Sequence, residues 1–123
     1  MKEISLEIGQ FKFQDNYIVG TPELGADLNV RNCREILLLV KKHYKNKQIA
    51  YIGNREHCNS VDPLIYKALS EVLPNLNFMA IVAYSDHTRR IVEYEQMFAT
   101  NQTLRVFNSL DDAITWVNYR LNK

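Results

Sequence analysis

The side chains best able to do chemistry fall in two short stretches. Arg55-Glu56-His57-Cys58-Asn59-Ser60 supplies a cation, a carboxylate, an imidazole, a thiol and a hydroxyl, and Ser85-Asp86-His87 supplies a second set. Cys58, His87 and Asp86 have the make-up of a thiol nucleophile, its base and an orienting acid, while His57, Cys58 and His87 are donors that zinc accepts. Neither set has the spacing of a known motif, and the competing reading is a free thiol with two loop histidines. Phosphate chemistry is disfavoured more directly. Gly20-Thr21-Pro22-Glu23-Leu24-Gly25 has the glycine spacing of a P-loop, but Ala26-Asp27 stands where lysine and a hydroxyl are required. No glycine follows Gly53, so the later units hold no dinucleotide fingerprint. Glu93 and Glu95 are two apart on an expected helix and do not face one another. Tyr94 and Phe98, at i and i+4, read as packing.

Whether the two stretches meet depends on the elements that carry them. Residues 49–53 and 78–84 are almost wholly apolar, and each leads through a polar loop into an amphipathic helix. Strands buried on both faces read as continuous apolar runs, and helices must cover them, so the sheet is mainly parallel here. In such a sheet ligands gather outside the carboxyl ends of the strands, which is where both polar loops lie if the two strands are neighbours. Ahead of them, Ile4, Leu6 and Ile8 alternate with polar residues, Phe11 and Phe13 do the same, and 17–20 is extended again. This predicts a three-strand meander.

A helix is expected over 28–45, with Val30, Cys33, Leu37, Val40 and Tyr44 on its apolar face and Leu38 on the opposite side. Lys41, Lys42, Lys45 and Lys47 fall at its end, where they complement the helix dipole. Asp62-Pro63 opens a helix running to about Leu73, and Ser85-Asp86 caps another over 87–99. A strand over 104–107 leads to Ser109-Leu110-Asp111-Asp112, the start of a last helix with Leu110, Ala113, Ile114, Val117 and Leu121 inward.

The chain has 123 residues, enough for one domain spanning 1–123, and a net charge of +1 that disfavours nucleic acid as a partner. The start lacks the apolar core of a signal peptide, and the longest apolar stretch, 78–84, is far short of the roughly 20 residues that span a bilayer. Two cysteines, Cys33 and Cys58, make no disulfide framework. The expectation is a cytoplasmic protein without membrane contact. So short a chain, its apolar stripes committed to covering a sheet, leaves little wall for a lipid cavity.

The order meander, helix, then strand–helix units resembles the STAS domain of bacterial anti-sigma-factor antagonists. It resembles more closely the small stand-alone bacterial proteins called STAS-like or SpoIIAA-like. The stretches that carry the likeness are Gln14-Asp15-Asn16-Tyr17-Ile18-Val19, Ile49-Ala50-Tyr51-Ile52-Gly53-Asn54-Arg55, Asn59-Ser60-Val61-Asp62-Pro63 and Val106-Phe107-Asn108-Ser109-Leu110-Asp111-Asp112-Ala113-Ile114-Thr115-Trp116-Val117. The resemblance implies a mixed α/β sheet, meander first and helices packed on it, in a non-enzymatic regulatory or protein-binding module without cofactor or metal. It also implies a phospho-acceptor where the helix after the central strand begins, a place that Ser60 matches. Here the surroundings depart from the family: Asn59-Ser60-Val61-Asp62 has no glycine, and Asp62 would repel a phosphate. Ser60 bonding the loop backbone is the alternative.

The resulting expectation is a protein partner docking on Arg55, Glu56, His57, Cys58, Asn59 and Ser60 and on the helix that follows, with Arg55 and Tyr66 as anchors. Its rival is a small enzyme or metal protein using His57, Cys58, Asp86 and His87. A homodimer through Leu38 or the open meander edge is a third reading.

Overall fold

Side-chain alternation along the strands decides what each face of the sheet holds. The computed structural model describes residues 2–57 and 60–122, Ser60 by its backbone alone. Along them run β1 (Lys2–Leu6), β2 (Gly9–Phe13), β3 (Tyr17–Pro22), β4 (Asp27–Leu28), α1 (Arg34–Tyr44), β5 (Ile49–Arg55), β6 (Ser60–Val61), α2 (Leu64–Val72), β7 (Leu76–Ala83), α3 (Asp86–Glu95), β8 (Thr103–Phe107) and α4 (Leu110–Leu121). Six strands form one sheet in the order β1-β2-β3-β5-β7-β8. The first three are the expected antiparallel meander, and β3, β5, β7 and β8 run parallel. The two apolar strands are therefore neighbours, and the polar loops after them leave the same end of the sheet.

Because successive side chains point to opposite faces, β5 sends Ile49 and Tyr51 one way and Ala50 and Ile52 the other. On the first face α1, α2 and α3 contribute Ile36, Leu37, Val40, Ile65, Tyr66 and Val92 to the core. On the second, α4 alone covers Val19, Ala50, Ile52, Ala80 and Val82, using Ala113 and Val117. Small residues there let the helix lie close to the sheet, and the expected α4 stripe is the one buried. The chain has the mixed α/β architecture expected.

Helix α1 starts at Arg34, not near residue 28. Asp27–Leu28 pairs in parallel with Ser60–Val61, and Asp62 N–H extends the ladder to Leu28 O at 2.9 Å. Asn29 then turns the chain, its side-chain oxygen accepting from Asn32 N–H at 2.8 Å. Local periodicity ran on through this segment because Leu28 is apolar for a sheet's sake, and Val30 is left 40% exposed. Lys41 and Lys42 stand in the last turn of α1, Lys45 follows it with a left-handed φ of 55°, and Lys47 Nζ donates to Asp15 O at 2.6 Å. Asp62 Oδ1 accepts from Leu64 N–H at 3.0 Å, starting α2, while Ser85 and Ser109 cap α3 and α4. Helix α3 is shorter than its 87–99 expectation, tightening after Glu95 into a 3₁₀ turn, Gln96–Phe98.

Candidate functional site

Two glycines hollow out the sheet under α1 and α2. Gly20 and Gly53 are partners in the β3–β5 register and fall on the same face. With no side chains there, the Tyr51 ring leans over both. A Cβ on Gly20 would collide with the Tyr51 ring and hydroxyl, and one on Gly53 would lie 2.9 Å from Ile81 Cδ1 and 3.2 Å from Tyr51 Cε2. Above this floor is an apolar cavity of about 110 Å³. Its walls include Leu37, Val40, Ile65 and Leu69 from the helices, and Leu28 and Val61 from the β4–β6 ribbon close one side.

The far end of the cavity is polar. Arg55 is the last residue of β5, on the inward phase with Tyr51 and Gly53, so its guanidinium points into the core and needs a buried counter-charge. Glu95 of α3 provides it. Arg55 Nη1 donates to Glu95 Oε1 at 3.0 Å and Oε2 at 3.1 Å, and Tyr66 OH of α2 donates to Oε1 at 2.6 Å. Arg55 and Glu95 are 4% and 2% exposed, so the pair is hidden from water. The three side chains tie β5, α2 and α3 together. Burial, and then the Glu95 charge and hydrogen bond, push the Tyr66 phenol well above its ordinary range, opposed in part by Arg55. Burial likewise raises Tyr51, and it pushes the Cys33 thiol to about 11.

Several expected site residues are found elsewhere than the sequence suggested. Arg55 and Tyr66 are internal, which corrects their reading as exposed docking anchors: the β5 alternation turns Arg55 inward, and Glu95 makes its burial tolerable. Glu56 is exposed, His57 half-buried, and Asp86 and His87 are exposed at the start of α3. Cys58, Asn59 and the side chain of Ser60 lie outside the described residues, and with them the Cys58–His87–Asp86 arrangement. Among the described residues no group of three or more His, Cys, Asp or Glu side chains is placed to hold a metal ion. At the same sheet end, Tyr84 OH donates to Asn54 Oδ1 at 2.6 Å. Leu64, 66% exposed on the first turn of α2, is the apolar side chain beside the loop. No helix of the described residues is long and apolar enough to cross a membrane.

Sequence reasoning missed Glu95. Its signal was available: Thr88, Val92, Glu95 and Ala99 share one stripe at helical spacing, and all are buried. A glutamate on an inward stripe needs an inward cation, and the strand alternation supplies Arg55. Gly20 reads in the sequence only as part of a P-loop-like spacing, when its use, with Gly53, is to make room.

No protein-family model matches the chain, and no curated protein matches it. Among solved structures, the chain is similar to the crystal structure of an uncharacterized protein from the DUF3478 family with a SpoIIAA-like fold, from Shewanella loihica PV-4. Identity is 13% and the TM-score 0.55, over 87% of this chain and 90% of that one. At that identity the likeness is one of fold, and the fold is SpoIIAA-like.

Proposed function

We propose that the chain is a non-enzymatic regulatory module of STAS type, acting by protein contact at the loop after β5 and the start of α2. Its response is set by a small, largely apolar molecule in the cavity. The observation that supports this reading is the cavity itself: about 110 Å³, walled by the helix that would carry the contact and ending on Arg55, Glu95 and Tyr66. An apolar cavity of about 150 Å³ accepts benzene. This one takes a ligand of that order and not an acyl chain, in keeping with the expectation against a lipid carrier. A ligand bound there would stabilise only the folded state.

The ion pair supports the same reading. Hydrophobic residues of similar volume stabilise a core as well as a buried pair does, so stability alone does not call for charge at this position. Charge does suit a cavity end that must orient a ligand or report its presence to α2. The finer proposal concerns Ser60. In register it faces Asp27, and Asp62 follows two residues later. A phosphate on Ser60 would add about −1.5 to −2 charge beside them and loosen the ribbon that closes the cavity.

Two measurements test the proposal. Benzene titrated into the protein should raise its melting temperature and shift amide resonances of α1 and α2, including Leu64. A photo-crosslinking residue at Leu64 or Glu56 should capture one specific protein in the native cells, and the same residue at Lys12, exposed on β2, should not. Shifts without saturation would overturn the ligand; equal capture at all three positions would overturn the contact surface.

A further inference from the structure

On the other face of the sheet, two arginines converge on one indole. Arg105 of edge strand β8 lies over Phe107 at 5.9 Å from the ring centroid and over Trp116 at 5.8 Å. Arg120, in the last turn of α4, lies over Phe78 at 4.8 Å and Trp116 at 5.9 Å. The rings hold one another: Phe78 meets Trp116 edge-on at 6.0 Å, and Phe107 is tilted against it at 5.5 Å. Both arginines are exposed, and the three rings are half-buried. Among the described residues, neither guanidinium has a carboxylate within ion-pair reach; the two ion pairs found there are Lys12–Glu3 and Arg55–Glu95.

Each arginine has an ordinary explanation by itself. A cation in the last turn of a helix complements the dipole, and a charge on an edge strand discourages sheet-to-sheet pairing. Neither explanation requires both guanidiniums to stack on the same ring. Contact with the rings restricts long side chains that would otherwise lose rotamer freedom on binding, and both guanidiniums stay exposed to a planar anion. An arginine–aromatic surface of this composition is also what interface hot spots are made of.

We infer that the Phe78–Arg105–Phe107–Trp116–Arg120 surface is a docking site for an acidic segment of a partner protein, its carboxylates received by the two stacked arginines. Charge complementarity selects that occupant: two exposed guanidiniums on an apolar bed, with no carboxylate in ion-pair reach among the described residues. The site is independent of the cavity and the loop–α2 surface, which belong to the other face.

Trp116 is the only tryptophan, so its indole N–H resonance and its fluorescence report this surface without a label. With the full-length protein, an octaglutamate peptide should shift the indole resonance saturably, and octalysine should leave it unmoved. Raised salt should weaken the binding. Arg105→Gln or Arg120→Gln should each weaken it roughly fivefold, and the pair together should abolish it. Arg→Lys at both positions, which keeps charge and solubility but not the stacked fork, should weaken it too, and circular dichroism of each variant establishes that it folds. No shift at millimolar octaglutamate, an equal shift with octalysine, or a shift that survives in the double Gln variant would overturn the inference. Concentration-dependent association of the protein alone, lost in that variant, would assign the surface to a second copy and overturn the acidic partner.

Discussion

The two faces of one sheet are built on opposite principles. Under α4 the strands present Ala50, Ala80, Ile52 and Val82, and the helix answers with Ala113 and Val117, all fully buried. Under α1, α2 and α3 the same strands present glycines, a leaning tyrosine, an arginine and a cavity. One face is filled with small apolar groups; the other carries a void and a buried charge pair, both of which cost stability unless something uses them. A protein interior is ordinarily packed as densely as an organic crystal. The cavity departs from that density on the face of α1, α2 and α3, the face to which the proposed ligand is assigned.

Breaking the polar end of the loose face should have the largest effect. Glu95→Ala leaves the Arg55 guanidinium buried without its carboxylate and should lower unfolding free energy by about 3–5 kcal/mol, read as a shift in urea midpoint. Arg55→Met with Glu95→Leu should cost much less than the sum of the single changes. An additive double variant would show that the pair is not coupled.

Enlarging one side chain on each face sharpens the contrast, since the sign should differ. Ala80→Leu, on the tight face, should destabilise by about 1–3 kcal/mol through overpacking. Val40→Ile adds one methyl to the cavity wall and should stabilise by a few tenths to about 1 kcal/mol, toward the roughly 0.8 kcal/mol of a buried methylene. The same variant should weaken benzene binding. Equal destabilisation by both changes would mean that the cavity has no room to give.

This contrast marks how far the sequence could be read. Apolar runs, serine caps and the stripe of α4 follow from local pattern, and they placed the meander, the parallel strands and three of the four helix starts. The start of α1 did not follow, because the pairing of Asp27–Leu28 with Ser60–Val61 joins segments more than thirty residues apart. The candidate site was half legible. Arg55 was singled out for the right loop and the wrong environment, since its partner Glu95 is forty residues away. Only counting phase along β5 and α3 together turns both side chains inward. The cavity was not legible, because it arises from two glycines in register across neighbouring strands.

Alkaline pH should separate the faces again, with a smaller effect. The cavity face holds Cys33, raised by burial from 9.0 to about 11, and Tyr44, raised by burial and by Asp15 from 10.0 to about 12. Both are acids whose neutral form the fold prefers. Below about pH 9 folded and unfolded chains hold the same protons at Cys33, so its contribution is intact. As pH rises from about 9 to 11 the unfolded chain ionises first, and stability is lost. Urea midpoints measured across that window should fall, and Cys33→Ala should flatten the earlier part of the fall. At neutral pH the buried thiol should resist alkylation until the protein unfolds.

The smallest effect on stability is expected at Ser60, and there the reading of function is most exposed. Ser60→Asp puts a carboxylate residue in register with the exposed Asp27 in a two-residue ribbon, and the like-charge pair should move stability by about 0.5 kcal/mol. Its consequence should appear in the cavity, because Leu28 and Val61, the neighbouring pair of the ribbon, line it. Benzene should bind more weakly, and capture from a crosslinker at Leu64 should change while circular dichroism does not. If cavity binding and capture both match wild type in a folded Ser60→Asp variant, the ribbon does not couple Ser60 to the cavity. The phospho-switch would then fail, leaving the ligand-bound module to stand or fall on the benzene titration alone.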